Sequence, residues 1–91
     1  MNQKFMKALM LLDRGKYDKG EESLKAAISE SDNPVELIQM NACYAELLCE
    51  LERFEESLVC TDYVIENAEN YDCIQELETA REIKIFIEDM K

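Results

Sequence analysis

The sequence of 91 residues contains no histidine, no tryptophan, one proline and only two glycines. Without histidine, the commonest general base and the commonest zinc ligand are missing, which leaves carboxylates, lysine, tyrosine and cysteine for any catalysis. Valine, isoleucine and threonine are scattered among Glu, Leu, Lys and Ala, so strands have little support. The sequence therefore predicts an all-α fold in a single small domain spanning residues 1–91.

Positive charge is also scarce, because 10 Lys and Arg stand against 21 Asp and Glu, for a formal net charge of −11. Such a charge repels phosphate backbones and anionic lipid surfaces, which argues against nucleic acid as a partner. No stretch approaches the ~20 apolar residues that a membrane-spanning helix needs, and the start of the chain does not read as a signal peptide. We therefore expect a cytoplasmic protein with no membrane insertion.

The acidic excess is unevenly distributed along the chain. Residues 1–25 hold six Lys or Arg and four acids, whereas residues 26–91 hold four and seventeen. A run of acids is often only a solvated surface, but this imbalance also suits electrostatic steering of a basic partner. The sequence therefore favours a basic partner protein.

The four cysteines lie at spacings of 6, 11 and 13 residues, with no Cys-x-x-Cys pair. Soft metal sites need closely paired ligands, so we expect reduced thiols that act as small hydrophobic core residues. One exposed thiol is the open alternative. No metal and no cofactor are expected.

Apolar residues recur at helical spacing in five segments. Gly15 is placed to end the first helix, the stretch 31–34 breaks the second, and Pro34 suits the first turn of the third. The predicted helices are Lys4–Asp13, Tyr17–Glu30, Pro34–Leu51, Phe54–Ile65 and Cys73–Met90.

An internal repeat relates the two halves of the chain with an offset of 37 residues. Small residues at one fixed level let two helices approach closely, and an aromatic residue at each turn can wedge between successive hairpins. The matched pairs are Lys16 with Arg53, Tyr17 with Phe54, Gly20 with Ser57, Ile28 with Ile65, Ala8 with Ala45, Leu11 with Leu48 and Ala27 with Val64.

Residues 15–20, Gly-Lys-Tyr-Asp-Lys-Gly, and 52–58, Glu-Arg-Phe-Glu-Glu-Ser-Leu, resemble the turn and second helix of the tetratricopeptide repeat (TPR). The likeness covers two repeats, residues 2–33 and 34–69, followed by a solitary helix over 71–90 that looks like the capping helix of such arrays. The resemblance implies stacked helical hairpins in a superhelix, or solenoid, whose surface binds other proteins.

By resemblance, the first helix of each repeat lines the concave surface. An apolar strip would then face the carboxylates of Glu46 and Glu50, which lie one turn apart and suit a basic segment of a partner protein, either amphipathic or extended. In the alternative, Phe5 and Leu9 are core residues and the glutamates only solvate a helix. The candidate groove residues are Phe5, Leu9, Leu12, Asp13, Gln39, Ala42, Glu46, Cys49 and Glu50.

The last helix offers a second candidate interface. Its apolar residues Ile83, Ile85, Phe86 and Ile87 spread over more than a single ~100° stripe, which predicts that another copy or another protein covers Phe86. The candidate interface residues are Ile83, Phe86, Ile87 and Met90. In the alternative, the last turn folds back on helix four.

These features predict a non-catalytic protein-interaction module, acting as an adaptor or a chaperone. Two short hairpins enclose little space, and no histidine is present to activate a thiol, so an enzyme is not expected. Size, acidity and expected fold resemble the helical-repeat chaperones of bacterial secretion systems, including type III secretion. The alternative is a structural unit that forms a homodimer through its last helix and binds no peptide.

Overall fold

A computed structural model of the chain describes residues 2–90. Within this range the protein is all-helical and has no strand, which confirms the predicted all-α class and the number of α-helices. A short 3-10 helix, Ala68–Tyr71, precedes the last helix. The helices are α1 (Gln3–Asp13), α2 (Tyr17–Glu30), α3 (Pro34–Glu50), α4 (Phe54–Asn67) and α5 (Ile74–Asp89).

Two of the helices begin at an asparagine whose side chain caps them. The Asn2 side-chain oxygen accepts hydrogen bonds from the backbone N–H groups of Lys4 and Phe5 at 2.8 and 3.2 Å. Asn33 accepts one from the N–H of Glu36 at 3.1 Å, and Pro34 occupies the first turn of α3. These bonds satisfy N–H groups that have no partner within the helix, and they fix where α1 and α3 start.

The turns that precede α2, α4 and α5 share one geometry. Each contains a residue with positive φ, namely Gly15 at 75°, Glu52 at 60° and Asp72 at 56°. The residue after it donates its N–H to a carbonyl five positions earlier, at 2.9, 2.9 and 3.0 Å. Gly15 and Glu52 are 37 residues apart, so the first two turns repeat at the predicted offset.

The matched turns predict opposite effects for two substitutions. Glu52→Gly should raise the free energy of unfolding by about 0.5 to 1 kcal/mol, because glycine adopts positive φ without steric cost. Gly15→Glu should lower it by about 1 to 2 kcal/mol through backbone strain alone, since the space around Gly15 is open. Urea unfolding of both variants measures these changes. A destabilised Glu52→Gly protein would contradict this account of the turns.

The helices pair as antiparallel hairpins with close contacts at equivalent positions. A Cβ on Gly20 would come within 2.6 Å of the Leu12 side chain, so α1 and α2 touch at this point. The equivalent residue in the second hairpin is Ser57, which is fully buried and donates a hydrogen bond to the Ala45 carbonyl at 2.8 Å. The small residues at this level therefore bring each pair of helices together, as the repeat predicts.

The last helix packs on the second hairpin. Leu77 and Ala80 of α5 are buried against α3 and α4, together with Ile38 and Val64. An ion pair of 2.9 Å between Lys84 and Asp62 of α4 lies on the outside of this contact. The helix α5 therefore runs antiparallel to α4 and packs along α3.

A polar cluster joins the two hairpins. The carboxylate of Glu21 in α2 accepts a hydrogen bond from the Tyr44 hydroxyl of α3 at 2.5 Å and one from the Arg53 guanidinium at 2.8 Å. Arg53 also binds Glu56 of α4, with nitrogen–oxygen distances of 2.6 and 3.0 Å. The Glu21 side chain is only 15% exposed, and the bond to Arg53 lowers its pKa. One carboxylate thus bridges both hairpins, and we call this cluster the seam.

Removing the negative charge of Glu21 should lower the free energy of unfolding by an amount that depends on pH. Glu21→Gln should lower the free energy of unfolding at neutral pH by about 1 to 3 kcal/mol, because it loses charge-assisted hydrogen bonds at a mostly buried position. The pKa of Glu21 is lowered in the folded state, so its stabilisation is present above the ordinary glutamate pKa and is lost as the pH falls through the lowered value. Denaturant unfolding at several pH values should show the two proteins converging in acid.

The matched control is Glu22→Gln, which removes the neighbouring exposed carboxylate and spares the seam. It should change stability by less than about 0.5 kcal/mol, as surface substitutions commonly do. Equal losses in the two variants would show that the seam contributes no specific stability.

Candidate functional site

Two adjoining depressions lie along α3, between α1 and α5. Their volumes are about 380 and 330 Å³. Both are lined by Leu9, Cys43 and Glu46, so they form one continuous surface, which we call the trough. The remaining lining residues are Leu12, Asp13, Tyr17, Leu47 and Glu50 in the larger depression and Gln39, Ala42, Gln75, Glu76 and Thr79 in the smaller one.

Most of the residues predicted for the groove line the trough. They are Leu9, Leu12, Asp13, Gln39, Ala42, Glu46 and Glu50. Leu9 and Leu12 are half-buried and retain surface for a ligand, whereas Ala42 is 5% exposed and forms part of the floor. The structure therefore brings the two predicted halves of the groove, one from each hairpin, onto one surface.

Two predicted groove residues lie elsewhere. Phe5 is 6% exposed and packs in the core with Ala8 and Leu24, because its position on α1 is one turn before Ala8 on the face turned toward α2. The placement of Phe5 in the groove is therefore wrong, and the alternative that it is a core residue is correct. Cys49 is half-buried and does not line either depression.

One wall of the trough comes from α5, which the sequence analysis assigned to a cap. Gln75, Glu76 and Thr79 face Leu9 of α1 across α3. Once Leu77 and Ala80 are known to be buried, helical spacing places these three side chains beside the buried face of α5. The sequence alone does not show that α5 lies beside α3. Their contribution could not be recognised without the packing of α5.

The trough is negatively charged at its edges and apolar at its floor. Four carboxylates line it, those of Asp13, Glu46, Glu50 and Glu76, and no lysine or arginine of the described chain does so. No ion pair to any of them occurs within residues 2–90. Partial burial, and then the negative charge of Glu50, raise the pKa of Glu46. The site is therefore complementary to positive charge that the protein itself does not provide there.

The cysteines are free and poorly ionised. Burial raises the pKa of the Cys43 thiol in the trough to about 11, and the charge of Glu46 acts in the same direction. Burial likewise raises the pKa of Cys60 to about 11, while Cys49 and Cys73 shift in the same direction. A thiol is a nucleophile only as the thiolate, so Cys43 is suited to apolar contact rather than to catalysis.

The described chain offers no cluster for a metal ion and no helix for a membrane span. Among residues 2–90, no group of three or more acidic or cysteine side chains converges closely enough to hold a metal. None of the helices in that range combines the length and the apolar character required to cross a bilayer.

The predicted interface on α5 is only partly exposed. Phe86 and Met90 are each 53% exposed, but Ile83 is half-buried against the core and Ile87 is 1% exposed. Ile87 lies two turns beyond Ala80 on the buried face of the helix, so its inclusion in an accessible surface is wrong. The end of α5 thus folds onto the core along one face and leaves Phe86 and Met90 on the surface.

Comparison with protein-family models, curated proteins and solved structures finds no match to this chain.

The raised pKa of Glu46 predicts a stabilising substitution. Glu46→Gln should raise the free energy of unfolding at neutral pH by a few tenths of a kcal/mol, because it removes the cost of partly burying a charged carboxylate and the repulsion from Glu50 one turn away. A raised folded-state pKa means that the charged form is disfavoured, so the gain over wild type should vanish as the pH falls and Glu46 becomes protonated. Carboxyl NMR titration of wild type and Glu50→Gln should show the pKa of Glu46 falling when Glu50 is neutralised. An unchanged Glu46 pKa would exclude this coupling.

Proposed function

We propose that this protein is a non-catalytic interaction module that binds a basic, amphipathic segment of a partner protein in the trough. The observation that carries the proposal is the apolar floor edged by four carboxylates without a cation. A partner with lysine or arginine beside an apolar stripe matches both features, and complementary charge favours encounter as well as orientation.

The architecture proposed to present this trough is a TPR-like superhelix of two hairpins and a capping helix. Three observations support it: the turns at Gly15 and Glu52 repeat after 37 residues, small residues occupy equivalent levels at Gly20 and Ser57, and helices α1, α3 and α5 line a shared surface. In such an arrangement every second helix contributes to one face, which explains why the trough has walls from α1 and α5.

An amphipathic helix is the form of segment that the trough favours. The half-buried Leu9 and Leu12 lie one turn apart on α1 and offer the narrow apolar contact that one face of a helix needs. Glu46 and Glu50, also one turn apart on α3, can pair with basic residues at the same spacing in the ligand. Covering an apolar stripe in this way is the work of an adaptor or a chaperone, and a secretion-system chaperone is the narrower form of this proposal.

A binding function rather than an enzymatic one is supported by the chemistry of the trough. Cys43 has a raised pKa, no histidine is present in the chain, and the carboxylates of Glu46 and Glu50 lie on an open surface. Acid–base catalysis needs a site that sets two groups to opposite roles and excludes water, and an open trough provides neither.

A defined peptide tests the proposal without knowledge of the natural partner. The probe is a labelled amphipathic helix of leucine and lysine, and its companion has glutamate in place of lysine. Fluorescence anisotropy should show that the basic peptide binds and the acidic one does not. Glu46→Gln combined with Glu50→Gln should weaken binding about tenfold, since each lost ion pair contributes up to about 1 kcal/mol.

The matched control removes two equally exposed carboxylates away from the trough, by Glu22→Gln combined with Glu66→Gln. It should leave the affinity within about twofold of wild type, because long-range charge effects are screened at physiological salt. Equal weakening by both double variants would show that only net charge matters. Failure of the wild type to bind the basic peptide would refute the proposed ligand class.

Self-association through α5 is the second candidate function, favoured by the exposure of Phe86 and Met90. A symmetric dimer of this kind should be lost in Phe86→Glu and retained in Leu9→Gln, whereas peptide binding should respond in the opposite way. Light scattering coupled to size-exclusion chromatography distinguishes the two.

A further inference from the structure

The outer face of α1 forms a basic surface with an apolar centre. Met6 and Met10 are 48% and 54% exposed, and they border a depression of about 460 Å³ together with Lys7 and Arg14. Neither cation forms an ion pair within residues 2–90. We call this face the basic end.

The outer face of α5 has the opposite character. Glu78, Glu82, Ile85 and Asp89 recur at spacings of four, three and four residues, so they lie along one side of the helix. Ile85 is 60% exposed, and all three acids are exposed. No ion pair within the described residues involves these carboxylates. We call this face the acidic end.

The two ends belong to the first and the last helix of the stack, and their charges decide which pairing is favourable. If two acidic ends met, Glu82 and Asp89 of one copy would lie near the same acids of the other. If two basic ends met, Lys7 and Arg14 would likewise lie near cations. Like charges held together are unfavourable, whereas one end of each kind pairs opposite charges around apolar centres. We propose that the basic end of one copy docks on the acidic end of a second copy of this chain.

A contact between two different surfaces leaves one free end on each copy, so it extends into chains instead of closing as a dimer. It also uses faces other than the trough, so it is independent of the proposed peptide binding. The exposed apolar area at each end is small, and each copy carries a large net negative charge. The contact is therefore weak, and it grows with protein concentration at salt levels that screen long-range repulsion.

Charge reversal at each end provides the test. The first variant combines Lys7→Glu with Arg14→Glu, and the second combines Glu82→Lys with Asp89→Lys. Sedimentation equilibrium from micromolar to millimolar protein should show a rising average mass for wild type and a monomer for each variant alone. An equimolar mixture of the two variants should again rise in mass, because each altered end meets a complementary one.

The second variant separates local pairing from net charge. It is less negative than wild type, so general repulsion predicts stronger association, whereas end-to-end docking predicts its loss. Val59→Ser, at a 71% exposed position on α4, is the control and should associate as wild type does.

Several results would overturn the proposal. They are a wild type that stays monomeric at millimolar concentration, a first variant that associates as wild type does, a second variant that associates more strongly, or a mixture no heavier than its components. Circular dichroism of each exposed-residue variant establishes that its helices are intact.

Discussion

The packing between the two hairpins, where Met40 is buried with Phe5 and Leu24 and Glu21 bonds to Tyr44 and Arg53, is the contact on which the shape of this protein depends. Each hairpin is held by its own short turn and by small residues at its crossing, whereas the relation between hairpins rests on the packing of α1 and α2 against α3. There, the mostly buried carboxylate of Glu21 in the first hairpin accepts bonds from two side chains of the second. Because hydrogen bonds are directional, the bridge restricts how the hairpins can rotate, and it thereby keeps α1 alongside α3.

This packing of the hairpins determines where the unevenly distributed charges of the chain lie in the structure. Glu46, Glu50 and Glu76 of the later part of the sequence meet at the trough, where partial burial and then the charge of Glu50 raise the pKa of Glu46. The cations of the first part line other depressions, between α1 and α2, on the outside of α1 and beside the seam, and none of them lines the trough. A surface that carries unbalanced charge beside apolar side chains is better suited to receiving a ligand than to stability alone.

Local features of the fold could be predicted from the sequence, and features set by packing could not. Two helix starts are marked by Pro34 and Phe54, because each residue acts on the conformation of a single turn. The turn at Glu52 could also be predicted, but its positive φ could not, since glycine is absent there. The periodicity of Phe5 fits either a core or a groove position, so its burial cannot be predicted from the sequence. Thr79 was missed as a wall of the trough, since only the packing of α5 brings it beside α3.

The most direct test of the account is an amide chemical-shift map of the ¹⁵N-labelled protein during titration with the leucine–lysine helix. We expect the largest shifts at Leu9, Asp13, Glu46 and Thr79, which three different helices bring to one surface. Shifts concentrated instead on the outer faces of α2 and α4, with the trough amides unmoved, would contradict the claim that the stacked hairpins form a peptide-binding trough.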